Sequence, residues 1–335
     1  MRMSFRVSFL LVLVTVGVGD LRADDGAASI AAGGIVVMKR EPRIVMAKEV
    51  LQISTNKVIV DYDFRNDSDE DVTTEVAFPI PDYSLAMEDN TPSAMGFEDF
   101  RLWVDGSAVR YKVEARAFLK DAEFTRMLNS MHVDIASFGH AASNDDSSDI
   151  HSLTIDQRRQ LEKAGLIDVG FEGPNWRVQK KYYWQQTFPA HKTVHIRHEY
   201  TPVLGATNSV MYGLGSKPDP NMAKEIESLC VDEKLHTTLQ KIVDGKDKDA
   251  PYDYVDFILT TANTWKTPIE DFTLVVERPH WKDWKDHTDQ QVYVSFCWDG
   301  QITKADADHF SAHVTDFVPK KELRVGFFGV ETRRF

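Results

Sequence analysis

Hydrophobic and polar residues alternate with period two along much of this chain. Val58, Val60, Tyr62 and Phe64 fall on one face of a run that ends in the turn-rich stretch Asn66–Asp71, and Val76, Phe78 and Ile80 resume the alternation beyond it. That period is the repeat of a strand with one buried face, so the segment predicts a half-buried β-hairpin. Phe100, Leu102 and Val104 alternate up to Asp105-Gly106, and Val109, Tyr111, Val113 and Ala115 alternate after it. Asp-Gly between alternating runs predicts a second hairpin, because both residues tolerate positive φ. Further strands are predicted around Ile35–Met38, Ile44–Ile53, Arg177–Phe188, Thr193–Tyr200, Val255–Leu259, Phe272–Val276, Val292–Phe296, Phe310–Val314 and Leu323–Phe328.

Helical spacing interrupts this pattern twice. Near Leu119 the period changes, and Asp121–Asp134 reads as helix. Thr154 and Gln157 have capping-box spacing ahead of Leu161, with Gly165 as a stop. Residues 119–169 therefore form a helical excursion, which includes a polar, acidic loop at residues 140–149. Met222–Val243 is the longest helical pattern, with Leu235, Leu239 and Ile242 on one face and Gly245 closing it. The fold class expected is all-β with helical insertions, built as antiparallel β-sandwich lobes. One lobe spans residues 24–208; the other, residues 209–335, is a helix followed by antiparallel strands. A single elaborate sandwich is the alternative. Tyr254–Pro279 repeats the layout of Val58–Pro81: strand, polar turn, strand, terminal proline.

The first residues change the cellular picture. Arg2 and Arg6 precede an apolar run, Val7–Val18, too short for a membrane span, and Leu21-Arg22-Ala23 offers a cleavage site. Residues 1–23 are expected to be a signal peptide, which places the chain in the periplasm or outside the cell. No later run is long enough to span a membrane. Removing residues 1–23 takes away three Arg and one Asp, so the net charge moves from −13 to −15. An acidic exported chain is a poor partner for nucleic acid or bare anionic membrane. Cys230 and Cys297 are the two cysteines, an even count in an oxidising compartment, which predicts one disulfide; two buried free thiols are the alternative.

No catalytic motif stands out. G-x-S-x-G, P-loop and G-x-G-x-x-G patterns do not occur. His191 and His195 would share a strand face about 13 Å apart, too far for one metal, with His198 pointing the other way; all three are expected on the surface. Asp306, Asp308, His309 and His313 contain metal-capable groups, yet Phe310, Ala312 and Val314 predict a strand there rather than a helical ligand pair. Asp145, Asp146 and Asp149 lack the spacing of a calcium loop. Trp281 and Trp284 lie among Lys282, Asp283, Lys285 and Asp286 between two predicted strands, and two indoles on a charged loop make a candidate contact for an envelope protein or glycan.

The segments GGIVVMKREPRIVMAKEVLQIS, YDFRNDSDEDVTTEVAFPIPDY, KYYWQQTFPAHKTVHIRHEYTPVLG, LCVDEKL and VSFCWDG resemble, in order and spacing, a bacterial exported family catalogued as domain of unknown function 4424. The likeness runs from about Ala31 to the last strand. It implies export and pairing of Cys230 with Cys297, and brings no activity with it. Phe78-Pro79-Ile80-Pro81, Leu102-Trp103-Val104-Asp105-Gly106 and Glu114–Ala122 also resemble the VIT domain of inter-α-trypsin inhibitor heavy chains, which implies a sandwich serving protein contact in the N-terminal half. The expectation is an exported, non-catalytic binding or scaffold protein of the bacterial envelope that needs no cofactor or metal. The alternative is an envelope hydrolase whose site is assembled from dispersed residues.

Overall fold

A computed structural model describes residues 32–33, 36–37, 41–84, 98–136, 138, 152–167, 174–202, 204–207, 210–214, 217–244, 251–280 and 290–331. The expected signal peptide, the acidic loop at 140–149, and Trp281 and Trp284 lie outside the described residues. The first half carries β1 (Ala32–Gly33), β2 (Val36–Val37), β3 (Ile44–Ile53), β4 (Val58–Asn66), β5 (Val72–Ser84), β6 (Glu98–Val104), β7 (Ser107–Ala108), β8 (Lys112–Leu119) and β9 (Ala122–Glu123). There follow α1 (Thr125–Ser130), α2 (Ile155–Lys163), β10 (Arg177–Phe188), β11 (Thr193–Thr201), β12 (Gly205–Thr207), α3 (Met211–Leu214), α4 (Pro220–Ser228) and α5 (Glu233–Asp244). The chain closes with β13 (Tyr252–Ile258), β14 (Ile269–Glu277), β15 (Gln290–Phe296), β16 (Thr303–Lys304), β17 (His309–Phe317) and β18 (Leu323–Glu331).

The fold is mostly β with helical insertions, as its hydrophobic periodicity requires. An eight-stranded sheet runs in the order β16-β17-β14-β3-β4-β11-β6-β7. A five-stranded sheet, β2-β5-β10-β8-β9, faces one part of it, and Phe188 against Phe64 at 5.8 Å marks the contact. A third sheet, β1-β13-β18-β15 with β12 also on β13, carries the helices: Ile226, Leu229, Leu235 and Leu239 bury against Tyr252, Tyr254 and Phe328. Strands from residues 24–208 and 209–335 are not segregated. β3 pairs in parallel with β14 across that boundary, and β12 pairs with β13.

Val58–Pro81 is an arch between sheets, not the expected hairpin. β4 pairs with β3 and β11, whereas β5 pairs with β10 and β2. Alternation says which face is buried, and two inward faces can meet across a sandwich as well as lie side by side. Asn66 fixes the arch. Its amide donates to the carbonyls of Glu70 and Phe188, both at 2.8 Å, and its side-chain oxygen accepts from the Ser68 N–H at 2.9 Å. The echo segment behaves alike, with β13 in one sheet and β14 in another. Asp105-Gly106 does form a two-residue hairpin turn, with φ of 47° and 76°, but its return strand β7 is only Ser107–Ala108, and the expected arm through Ala115 passes into β8, which pairs with β10 in the five-stranded sheet.

Two helical expectations are revised. Asp121–Asp134 yields only α1, because Ala122–Glu123 folds back to pair with Phe118–Leu119. The long helix breaks into α4 and α5 at Cys230, whose φ is +49°, and α5 restarts on Asp232, which accepts from the Leu235 N–H at 2.7 Å. The capping box on α2 forms as read, and Gly165 ends that helix with φ of +71°. Cys230 and Cys297 are disulfide-bonded, with Cα atoms 4.9 Å apart, and tie the end of α4 to the end of β15.

Two ionisable side chains sit inside the sandwich. Glu49 on β3 is 2% exposed, with Tyr62 and Phe272 as its cross-strand neighbours. His198 on β11 is fully buried among Tyr62, Phe78, Phe100 and Tyr200, and neither ring nitrogen has a hydrogen-bond partner among the described residues. His198 is therefore a core residue, against the surface position expected of it. Loss of hydration disfavours charge on both groups. It pushes the Glu49 carboxyl from 4.5 up to about 8, and the His198 imidazole from 6.5 down to about 3.

These shifts act in opposite directions on stability. Between pH 4.5 and 8 the folded Glu49 holds a proton that the unfolded chain has lost, so stability falls as pH rises. Between pH 3 and 6.5 the unfolded His198 holds a proton that the folded state excludes, so stability rises with pH. Each slope is about 1.4 kcal/mol per pH unit. The pair gives a flat optimum between pH 4.5 and 6.5 with losses on either side. Chemical denaturation across pH 3–9 tests this: Glu49→Gln should remove the alkaline loss and His198→Phe the acid loss. A wild-type-minus-variant difference that does not change with pH would disprove it.

A second expectation concerns the disulfide, which closes a loop with a sequence separation of 67. Cys230→Ser/Cys297→Ser should cost about 4 kcal/mol on the chain-entropy model, read from denaturant midpoints. A loss under 1 kcal/mol would show that α4 holds its place by packing alone.

Candidate functional site

A cleft of about 320 Å3 opens where β15 and β17 end and β18 begins. Leu259 and Leu323 are its buried wall, and Val314, Phe317 and Val318 descend from β17. Trp298 closes the other side, directly after the disulfide at Cys297. Its indole stacks on Phe272 of β14 at 5.7 Å and leans on Phe317 at 5.5 Å. Phe272 and Phe317 are themselves 4.7 Å apart, so two strand rings and the turn indole brace one another. In the turn Trp298-Asp299-Gly300 the indole lies close over the glycine, where a Cβ would stand 3.2 Å from its nitrogen.

The rim of this cleft is charged. Lys321 meets Asp299 at 3.4 Å, both well exposed. Glu322 accepts from the Thr260 N–H at 3.2 Å and from its hydroxyl at 2.5 Å. Lys320 has no hydrogen-bonding or ion-pair partner among the described residues. Val318 is 46% exposed at the mouth. An apolar, ring-lined interior with a few polar groups at the entrance is the usual makeup of a small-molecule site.

Other depressions differ in kind. One of about 830 Å3 beside β8 and α1 is larger, but Glu114, Arg116, Glu123, Arg126 and Asp134 line it. A third, about 270 Å3, lies on the outer face of the eight-stranded sheet around Asp61, Asp63 and His195. There His195 sits 2.9 Å from Asp63 and 3.3 Å from Asp61, and Arg197 grips Asp61 at 2.9 Å. Lys57, Arg101 and Arg197 converge on Glu199 in the same way. This is a ladder of cross-strand ion pairs with opposite charges already matched. Among the described residues no group of three or more His, Cys, Asp or Glu is arranged to hold a metal.

The structure places the sequence-predicted residues unevenly. Cys230 and Cys297 are joined, and Cys297 forms part of the cleft wall. Trp281 and Trp284 lie outside the described residues. His191 pairs with Asp69 at the surface. His309 and His313 lie on strand β17, as the apolar spacing there required, and pair separately with Asp306 and Asp271. Trp298, Phe317 and Val318 were not read as site residues. The available signal was Cys-Trp-Asp-Gly followed, twenty residues on, by an apolar residue before Pro-Lys-Lys.

Among the described residues no helix is long and apolar enough to cross a membrane. A search of curated proteins finds no match. A solved structure from Legionella pneumophila, provisionally described as a nutrient binding protein, is similar over 90% of this chain and 71% of its own, at 16% sequence identity and a TM-score of 0.44. A family model described as domain of unknown function (DUF4424) matches residues 23–325, and the chain belongs to that family.

Proposed function

We propose that the mature protein works outside the cytoplasm of a bacterial cell as a non-catalytic binding protein, with the Trp298 cleft as its ligand seat. The observation that carries this reading is the cleft itself: apolar walls held open by three mutually braced rings, on a frame locked by a disulfide. Preorganisation matters because a seat already formed loses little entropy on binding. The signal-like residues 1–23 and the disulfide support an oxidising compartment, periplasmic or secreted. A hydrolase would need a nucleophile and a base converging on one point. The rim carboxylates of the cleft are instead engaged with Lys321 and Thr260. The segment with Trp281 and Trp284 is retained as an expected contact for an envelope protein or glycan, on its composition alone.

N-phenyl-1-naphthylamine, an uncharged apolar fluorophore, provides the test. It should bind the native protein saturably at one site. Val318→Trp, which projects bulk into the mouth from an exposed position, should weaken binding at least tenfold with little change in thermal midpoint. Trp281→Ala/Trp284→Ala should leave dye binding unchanged and reduce recovery of crosslinked envelope partners. Dye binding indifferent to Val318→Trp would remove the cleft from consideration.

A further inference from the structure

Resting on the reading of the cleft as a ligand seat, we infer that its ligand is a small amphipathic anion, with an apolar body between Trp298 and Phe317 and a carboxylate-type head at Lys320 and Lys321. The body follows from the walls. Leu259, Val314, Phe317, Val318, Leu323 and the Trp298 indole give a buried ligand almost nothing to hydrogen-bond. A polar group carried inward would lose its hydration without replacement, so the polar end of the ligand must stay at the rim. The volume, about 320 Å3, is at the small end of ligand sites and suits a fused-ring or short acyl body rather than a folded chain.

The sign of the head follows from which rim groups are already engaged. Four charged residues line the cleft: Asp299, Lys320, Lys321 and Glu322. Both carboxylate oxygens of Glu322 accept hydrogen bonds from Thr260, which orients the group toward that turn while its charge remains. Asp299 is held by Lys321 through a contact in which the side chains are 81% and 64% exposed. An ion pair that open to water contributes about 0–1 kcal/mol, so an incoming carboxylate can take the place of Asp299 at little cost. Lys320 remains with its donors unused. Two adjacent lysines at the one ring-lined cleft described above also run against the chain as a whole, whose net charge is −13. A cationic head would have to displace Lys321 from Asp299 or Thr260 from Glu322, and would leave Lys320 beside it as a like charge.

A matched set of ligands separates this inference from the reading beneath it: 2-naphthylacetate, 2-(2-naphthyl)ethanol and 2-(2-naphthyl)ethylammonium, each titrated by calorimetry and by displacement of N-phenyl-1-naphthylamine. The anion should bind at least tenfold tighter than the cation, with the alcohol between them. Lys320→Glu should abolish or invert that order while leaving the alcohol within twofold, and its thermal midpoint should not move because the side chain is exposed. Equal binding of anion and cation, or a preference that survives Lys320→Glu, would overturn the anionic head while the cleft stands. If none of the three displaces the dye in a manner sensitive to Val318→Trp, both the head and the seat are wrong.

Discussion

The parallel pairing of β3 with β14 is the constraint on which the rest of the molecule depends. Lys48–Ile53 and Asp271–Val276 align residue for residue, although more than two hundred positions separate them. That seam makes one eight-stranded layer from strands of both halves of the chain. It also decides what each smaller sheet packs on. Phe64 on β4 meets Phe188 and Trp265, while Phe272 on β14 receives Trp298 and Phe317. A parallel pair needs a long crossover, and here the crossover contains most of the protein. The helices α1–α5 and strands β5, β8, β9 and β10 lie within that connection, while β15, β18 and all of the cleft but Leu259 follow it.

Strands were legible because burial on one face writes itself in alternation, and β4 shows it residue by residue: Val58, Val60, Tyr62 and Phe64 all lie inside. Partners were not legible. The turn after β4 looks like hairpin chemistry, yet Asn66 is anchored by the carbonyl of Phe188, a residue distant in sequence. Nothing local distinguishes an Asn that closes a hairpin from one that bridges two sheets. The split between α4 and α5 was hidden for a related reason. Ile226, Leu229, Leu235 and Leu239 all bury against one sheet, so their shared face survives a break at Cys230–Asp232. The disulfide was legible from cysteine parity, and its consequence, a left-handed residue ending α4, was not. The cleft had least local signal of all, since its walls come from Leu259, Trp298, Val314–Val318 and Leu323 and meet only in three dimensions.

Glu49 and His198 show what alternation can and cannot convey about the interior. The parity of β3 places Glu49 on the inward face beside Leu51 and Ile53, and that of β11 places His198 inside with Val194 and Ile196. Both positions follow from the pattern once the inward set is fixed; the identity of the residues there does not. Ionisable groups buried in a ring-rich core lower stability relative to apolar residues of the same shape. Both are kept uncharged near neutrality, and the two opposing proton linkages leave net stability flat over the range where their windows overlap.

The disulfide connects this frame to the candidate site. Cys297 is at once the end of β15, the neighbour of Trp298 and a wall of the cleft, and its partner ends the helix that covers the far face of the same sheet. Ser295, two residues before it, shares its hydroxyl proton between the carbonyls of Leu229 at 2.9 Å and Cys230 at 3.2 Å, so the strand end and the helix end are held by a covalent bond and a three-centre hydrogen bond together. Trp298 inherits that rigidity. Its indole could otherwise swing into the gap it borders, burying itself and closing the cleft, which is the favourable outcome for a large apolar ring beside an apolar void. Held from behind by Cys297 and braced in front by Phe272 and Phe317, the ring lines the opening rather than filling it.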